Sequence, residues 1–271
     1  MSLRFVISDV DGTLVNRDKK LTQPTIDAVA RLQAMGVPFT IISARPPSGI
    51  AFLVEALKPT GPIAAFNGGT IVAPGGGILE RRTLDRAAVE RSFDIASGSG
   101  ATPWVFAAGR WHIMDPANPH VAHEILASAQ QPAIERDMTH LFDRVDKLTW
   151  VSDDHDLLLD LQARMREAFG GRATIGMSQT YYLDVTHPLA NKGDGIAILA
   201  RIAGVELTEV AVLGDQYNDV PMFQRAGIAI SMGQAPEPVK AEADYVSTSN
   251  DDDGVAHAIE TILLPMLKGA K

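Results

Sequence analysis

Short apolar runs alternate with amphipathic stretches through the first third of the chain and again through its last third. Phe5-Val6-Ile7 is a continuous apolar run that stops before Asp9, the pattern of a strand buried on both faces. Thr22 to Met35 predicts a helix, with Pro24 near its start, Ile26, Val29 and Ala30 along one face, and Gly36 just past its end. Pro38 to Ile42 predicts a second strand that delivers Ser43 to its end. Ile50, Leu53, Val54 and Leu57, spaced i, i+3, i+4, i+7, predict the helix that follows. Ile63 to Phe66 predicts a third strand, ending in the turn pair Asn67-Gly68.

Between about Thr83 and Thr186 the pattern changes to helix, two strands, helix, strand, helix, two strands. Trp104 to Phe106 and Trp111 to Met114 flank a turn around Gly109, and Leu158, Leu161 and Met165 mark a helical face behind the start signal Asp153-Asp154. Thr174-Ile175 and Tyr181 to Val185 predict a hairpin that turns at Gly176 to Gln179. Hairpins mixed with helices point to an α+β module inserted into an alternating core. The first pattern resumes at Lys192. Ile196, Leu199, Ala200 and Ala203 predict a helix, Val210 to Leu213 a strand ending at Gly214-Asp215, Ile228 to Ile230 another strand, and Ala256 to Leu264 a closing helix. The expected fold class is α/β: a doubly wound, parallel-sheet (Rossmann-like) core of residues 1–83 and 187–271, with an inserted α+β cap at 84–186. Ligands of such sheets bind beyond the carboxyl ends of the strands. Asp9, Ser43, Asn67 and Asp215 all fall there.

Composition narrows the function. The 271 residues are 46% hydrophobic and 21% charged, enough for a large core or a core plus an insertion. A net charge of -9 disfavours non-specific binding to nucleic-acid backbones or anionic lipid. It still admits a small anionic substrate where a bound cation makes the pocket locally positive. The absence of cysteine excludes disulfides, thiolate zinc sites and cysteine nucleophiles. No apolar run approaches the roughly 18–20 residues of a membrane helix. The first acid, Asp9, comes too early for a signal peptide, so a cytoplasmic location is expected.

Asp9 and Asp11 stand two apart at a strand end, and Gly12-Thr13 permits the chain to turn there. One carboxylate can attack phosphorus while the other, protonated, supplies the leaving alcohol and later activates water. An anionic nucleophile meeting an anionic substrate requires cations. Asp9, Asp11 and Asp215 offer hard oxygens suited to Mg2+, and Lys192 adds a fixed positive charge. Ser43 can hydrogen-bond a phosphate oxygen together with backbone N–H groups at the following helix start. Asn218 and Asp219, just beyond Asp215, are placed to orient a ligand, a metal-bound water or Lys192. Arg45 either touches a substrate anion or pairs on the helix surface. Asn67-Gly68 reads first as a turn device, with a substrate contact left open. Asp251-Asp252-Asp253 reads as the N-cap of the last helix, since the other ligands of a calcium loop are missing. His120 and His123 share a helix face without further metal-ligand signals. Neither GxxxxGK[ST] nor GxGxxG occurs.

Asp9-Val10-Asp11-Gly12-Thr13-Leu14 resembles the first motif of the haloacid dehalogenase-like superfamily, in its phosphatase branch. Ile41-Ile42-Ser43-Ala44-Arg45 resembles the second motif, Lys192-Gly193 the third, and Gly214-Asp215-Gln216-Tyr217-Asn218-Asp219 the fourth. The insertion between the second and third motifs resembles the large α/β cap of the Cof-type subfamily. Asn67-Gly68-Gly69 and Asp253-Gly254-Val255-Ala256 resemble further segments of that subfamily, so the resemblance covers nearly the whole chain. It implies Asp9 as nucleophile, Asp11 as general acid/base, and Mg2+ on the Asp9 and Asp215 carboxylates and the Asp11 backbone carbonyl. It further implies a phosphate held by Ser43 and Lys192, close to Gly12, Ala44 and Asn218. Ala44 departs from the glycine common in that motif and narrows the backbone's approach to phosphate. The implied reaction is hydrolysis of phosphate monoesters of small metabolites, sugar phosphates foremost, through a phosphoaspartyl intermediate. A phosphomutase or phosphotransferase on the same fold, or a catalytically silent phosphoester-binding protein, are the alternatives.

Overall fold

The computed structural model describes residues 3–269. Strands β1 (Phe5–Ser8), β2 (Phe39–Ile41) and β3 (Ile63–Ala65) are linked by helices α1 (Gln23–Ala34) and α2 (Pro47–Leu57). β4 (Thr70–Val72) and β5 (Ile78–Arg81) fold back antiparallel from β3. Helix α3 (Arg86–Ala96), β6 (Thr102–Ala107), β7 (Arg110–Ile113), α4 (Val121–Ser128) and β8 (Ala133–Ile134) follow. Then come β9 (Val145–Val151), α5 (His155–Phe169), β10 (Thr174–Gln179) and β11 (Tyr182–Thr186). Helix α6 (Lys192–Ala203) leads to β12 (Val210–Gly214), β13 (Ile228–Ser231) and β14 (Tyr245–Val246).

Strands β14-β13-β12-β1-β2 form a parallel sheet in that order. A parallel bridge between Ile42 and Ala64 ties β3 to its edge. Alternate residues of one strand enter opposite layers. Val6, Ala211 and Leu213 pack with α1 and α2, whereas Phe5, Ile7, Val210 and Val212 pack with Ile196 and Leu199 of α6. Both faces are therefore covered, which is why the strands read as unbroken apolar runs. In α1 the buried face is Thr25, Ala28, Val29 and Leu32. The expected Ile26 is half-buried and Ala30 is exposed, so the true stripe lies about one position away. Gly36 does follow the helix, at φ +84°.

A second sheet, β10-β11-β9-β6-β7-β8, is antiparallel except for its β7–β8 edge. One face packs on α3 and α5 through Val105, Leu148, Leu158, Leu161 and Met165. The other buries Trp104, Phe106, Trp111 and Tyr182 together with Phe66, whose ring meets Phe106 edge-on at 5.7 Å. Phe66 belongs to the loop after β3, so this aromatic layer joins the two sheets.

Three expectations are corrected. The last hairpin turns at Thr180-Tyr181, not at Gly176 to Gln179, because β10 runs on through a bulge between Met177 and Gln179. Asp253 stands at the N-cap position of the closing helix, but its side chain makes no cap hydrogen bond. It adopts a left-handed conformation at φ +54° and accepts a hydrogen bond from Thr22 Oγ1 at 2.6 Å, while Asp251 pairs with Arg17. That helix begins at Gly254 and carries a π-turn at Ile259–Leu263. The short strands β4, β5, β8 and β14 have no counterpart in the hydrophobic pattern. Among the described residues no helix is long and apolar enough to cross a membrane.

The start signal of α5 is realised as expected: Asp154 accepts from the Leu157 N–H at 3.0 Å. Asp154→Ala should lower the thermal or urea stability of the protein by about 1 kcal/mol. Unchanged unfolding midpoints would show that the cap bond contributes nothing.

Candidate active site

Four chain segments end at one point. Asp9 follows β1, Ser43 lies just past β2, Asp215 follows β12, and Lys192 is the first residue of α6. The Asp9 N–H donates to Leu213 O at 2.9 Å, which carries the β1–β12 pairing to the edge of the site. The chain then turns at Gly12, φ +78°, where a Cβ would stand 2.3 Å from Asp215 Oδ2. Glycine is therefore required twice over, for the backbone angle and for the approach of Asp215. Thr13 Oγ1 donates to Asp215 Oδ1 at 3.0 Å. Asn191 caps α6 by accepting from the Asp194 N–H at 2.9 Å, which fixes where Lys192 leaves the helix.

The Lys192 ammonium, 1% exposed, donates to Asp9 Oδ1 at 2.5 Å and to Asp219 Oδ1. The other oxygen of Asp219 accepts from the Asp215 and Gln216 N–H groups, each at 2.8 Å. Carboxyl oxygens of Asp9, Asp215 and Asp219 all lie within 4.8 Å of one another. Three acids with one ammonium between them leave an excess of negative charge out of water, and the proton affinities respond. Burial, and then Asp219 and Asp215, push Asp9 well above the usual carboxylate range despite Lys192. Burial and Asp219 push Asp215 up to about 6. Burial alone would lower Lys192, but Asp219 and Asp9 outweigh it and hold the ammonium strongly protonated. Two uncompensated negative charges on hard oxygens suit a divalent cation. Asp219 thus joins Asp9 and Asp215 in the acidic cluster.

Asp11 reaches the same cavity, but its carboxylate is turned elsewhere. Arg45 grips it through Nε and Nη2, both at 2.7 Å, and Lys19 Nζ donates to it at 2.7 Å. Burial would raise this carboxyl, yet Arg45 and Lys19 outweigh it and hold it below the usual range. Arg45 is buried, not a surface pair, and donates also to Gly49 O at 3.0 Å. Ser43 Oγ accepts from the Arg45 N–H at 3.1 Å. The helix expected to add backbone N–H groups beside Ser43 for a phosphate starts only at Pro47, behind Pro46, and neither proline carries an N–H. Asn67 is left-handed, φ +55°, with Oδ1 buried and unpartnered, consistent with the turn role. Ser43, Ala44, Arg45 and Asn218 line one cavity of about 100 Å³ with Asp9 and Lys192. Its far wall comes from the second sheet and its helices, through Glu124, Lys147 and Tyr182. His120 stacks on Tyr181 at 4.0 Å, and His123 borders the cavity. Trp104 and Trp111 are packing residues. Lys19, Glu124 and Lys147 were missed. Lys19 sits in the charged run Arg17-Asp18-Lys19-Lys20, which reads as an ordinary solvated turn.

The raised Asp215 value has a thermodynamic consequence. Its folded value, about 6, exceeds the ordinary 3.8, so the native state binds the proton more tightly. Its stabilisation is fully present below about pH 4 and is lost as pH rises through 6. Without divalent cation, the unfolding midpoint should fall between pH 4.5 and 7, and less steeply in Asp215→Asn. Added Mg2+ should restore stability at pH 7 by about 2.7 kcal/mol at a hundredfold excess over its Kd, and by much less at pH 4.5. Equal effects of Mg2+ at both pH values would contradict a carboxylate-held cation.

A family profile described as haloacid dehalogenase-like hydrolase matches residues 6–259. The chain is 29% identical over 247 residues to the HMP-PP phosphatase of Citrobacter koseri, covering 90% of this chain and 89% of that protein. It is 26% identical over 287 residues to a 5-amino-6-(5-phospho-D-ribitylamino)uracil phosphatase of Bacillus subtilis, covering 96% and 98%. The crystal structure of a haloacid dehalogenase-like hydrolase from Bacteroides thetaiotaomicron superposes with a TM-score of 0.86 at 27% identity, covering 96% of this chain and all of that one. The profile spans both sheets and every segment that meets at Asp9, and the chain belongs to the haloacid dehalogenase-like hydrolases.

Proposed function

We propose that the protein is a phosphatase that hydrolyses phosphate monoesters of small metabolites, with Asp9 as nucleophile and Mg2+ as cofactor. The observation that carries this reading is the convergence of Asp9, Lys192, Asp215 and Asp219 at one buried point beside an open cavity. Relatives named as phosphatases of small phosphorylated molecules support the substrate class.

Lys192 holds Asp9 Oδ1, which fixes the carboxylate and leaves Oδ2 as the attacking atom. Attack forms an Asp9–phosphorus bond as the ester P–O bond breaks, and the departing alcohol takes up a proton. Water then attacks phosphorus, the Asp9–phosphorus bond breaks, and inorganic phosphate leaves. Mg2+ bound by Asp9 and Asp215, with the Asp11 carbonyl, would neutralise charge on the phosphoryl oxygens. Lys192 supplies the permanent part of that neutralisation, and Ser43 donates to a phosphate oxygen. Asp11 is paired and ionised as the structure stands, the state required of the base that activates water. For it to give a proton to the alcohol, Arg45 and Lys19 must release it, and an incoming phosphate offers both cations another partner. Residues 84–186 act in this reading as a cap whose far wall closes the cavity and excludes water.

Asp9→Asn should lower kcat for phosphate release by about 10⁴-fold or more with little change in unfolding midpoint. A chelator should likewise stop turnover of the wild type, and Mg2+ should restore it. Turnover retained by Asp9→Asn would remove the nucleophile assignment, and full activity in chelator would remove the cofactor.

A further inference from the structure

A second cavity, of about 190 Å³, shares no lining residue with the one at Asp9. It lies on the seam where Pro46 to Ser48, the strands β4 and β5, and the six-stranded sheet meet. Its walls are largely apolar, with the buried rings of Phe66 and Phe106 beside Val72 and Ile78. Two of its polar side chains are occupied by the protein itself. Gln130 Oε1 accepts from the Trp111 N–H at 2.9 Å, and its Nε2 donates to Ser48 Oγ at 2.8 Å. Ser48 Oγ in turn donates to Ser128 O at 2.6 Å.

Asp146 is not occupied. It is only 1% exposed, yet neither of its carboxyl oxygens has a hydrogen-bond partner among the described residues. A bulge puts it there. Phe106 pairs with Lys147 and Ala107 with Val145, so Asp146 is the extra residue of β9 and escapes the alternation of its strand. Arg81 Nε lies 3.3 Å from Asp146 Oδ1 without hydrogen-bond geometry, and the exposed Arg110 borders the same cavity. Burial pushes the Asp146 carboxyl up to about 6, against the pull of Arg81 and the Gly109 backbone. A buried carboxyl without hydrogen bonds costs stability that packing does not return. Such a group on a cavity wall is matched to something that enters the cavity.

We propose that this cavity is a second ligand site, which takes a free α-amino acid with an apolar side chain, its ammonium on Asp146 and its carboxylate on Arg81 and Arg110. Charge decides among the candidates. One carboxylate and two arginines leave an excess of positive charge, so a simple amine would meet repulsion beside Asp146, and a simple anion would face Asp146 itself. A zwitterion gives each group its opposite. Distance narrows the choice further. Arg81 and Asp146 stand 3.3 Å apart, so the two charges of the ligand must be close, and an α-amino acid carries both on one carbon. A long zwitterion would press one charge against Phe66 or Phe106, where an apolar side chain belongs. The site stands apart from the chemistry proposed above and does not depend on it.

Calorimetric titration tests this directly, with Mg2+ present and no phosphate ester. The probes are L-leucine and L-phenylalanine, with isoamylamine and isocaproate as leucine lacking its carboxylate or its ammonium. One equivalent of leucine or phenylalanine should bind the wild type, and each leucine fragment should bind at least about tenfold more weakly. Asp146→Asn and Arg81→Met should each weaken the amino acid by about tenfold or more. A cooperative thermal transition in each variant reports that it is folded. Should either variant fail to fold, the comparison of leucine with its two fragments on the wild type decides alone. No saturation of the wild type by either amino acid at millimolar concentration overturns the site. Affinity unchanged in the folded Asp146→Asn protein, or a fragment that binds as tightly as leucine, overturns it equally.

Discussion

One buried ammonium organises the site. Lys192 leaves α6 between Asp9 and Asp219 and joins the end of β1 to the turn after β12, in a place where none of the three charges meets bulk water. Removing Lys192 would strand two carboxylates, since a buried charge without its partner is far costlier than the pair is favourable, whereas neutralising Asp9 leaves the Lys192–Asp219 pair in place. The same arrangement sets the chemistry. It holds the Asp9 carboxylate in one orientation, keeps the lysine protonated, and leaves enough uncompensated negative charge to call for a divalent cation. Gly12 and the Asp219-held N–H groups of Asp215 and Gln216 are the backbone's contribution.

The second sheet stands over this point and is built on different physics. The core sheet is apolar on both faces, whereas the six-stranded sheet has an apolar face on α3 and α5 and an aromatic face turned to Phe66. Lys147, Thr149 and Asp184 place buried polar groups in that second sheet, near the cavity. The division of labour follows from the elements. In the proposed reading, strand ends and a helix start hold the reacting groups rigidly, while residues 84–186 are free to carry whatever recognises the alcohol.

The sequence made legible what depends on local pattern. Apolar runs ending in Asp9, Ser43 and Asp215 gave the sheet and the edge of it where those side chains meet, because a doubly buried strand needs unbroken apolar residues. Apart from the two-residue β8, the element order of residues 84–186 was equally readable, down to the Asp154 cap. What stayed hidden depends on distant segments meeting. Asp11 binds Arg45 and Lys19 across a turn, and Asp253 serves Thr22 instead of its own helix. The strands β4 and β8 are too short to show a period, and Ala30 and Ala203, small and weakly apolar, fit a stripe without belonging to it. Glu124 and Lys147 sit on amphipathic or alternating segments where a charge reads as solvent-facing, and only the cavity reveals them as buried.

The central claim is that Asp9 itself bonds to phosphorus. Acid quenching during turnover, borohydride reduction and peptide mapping of the wild type would locate an acyl phosphate by the carboxyl that is reduced. Reduction at position 9, dependent on substrate, is the predicted result. A phosphorylated carboxyl at another position, or hydrolysis that proceeds at full rate with no trapped phosphoenzyme, would contradict it.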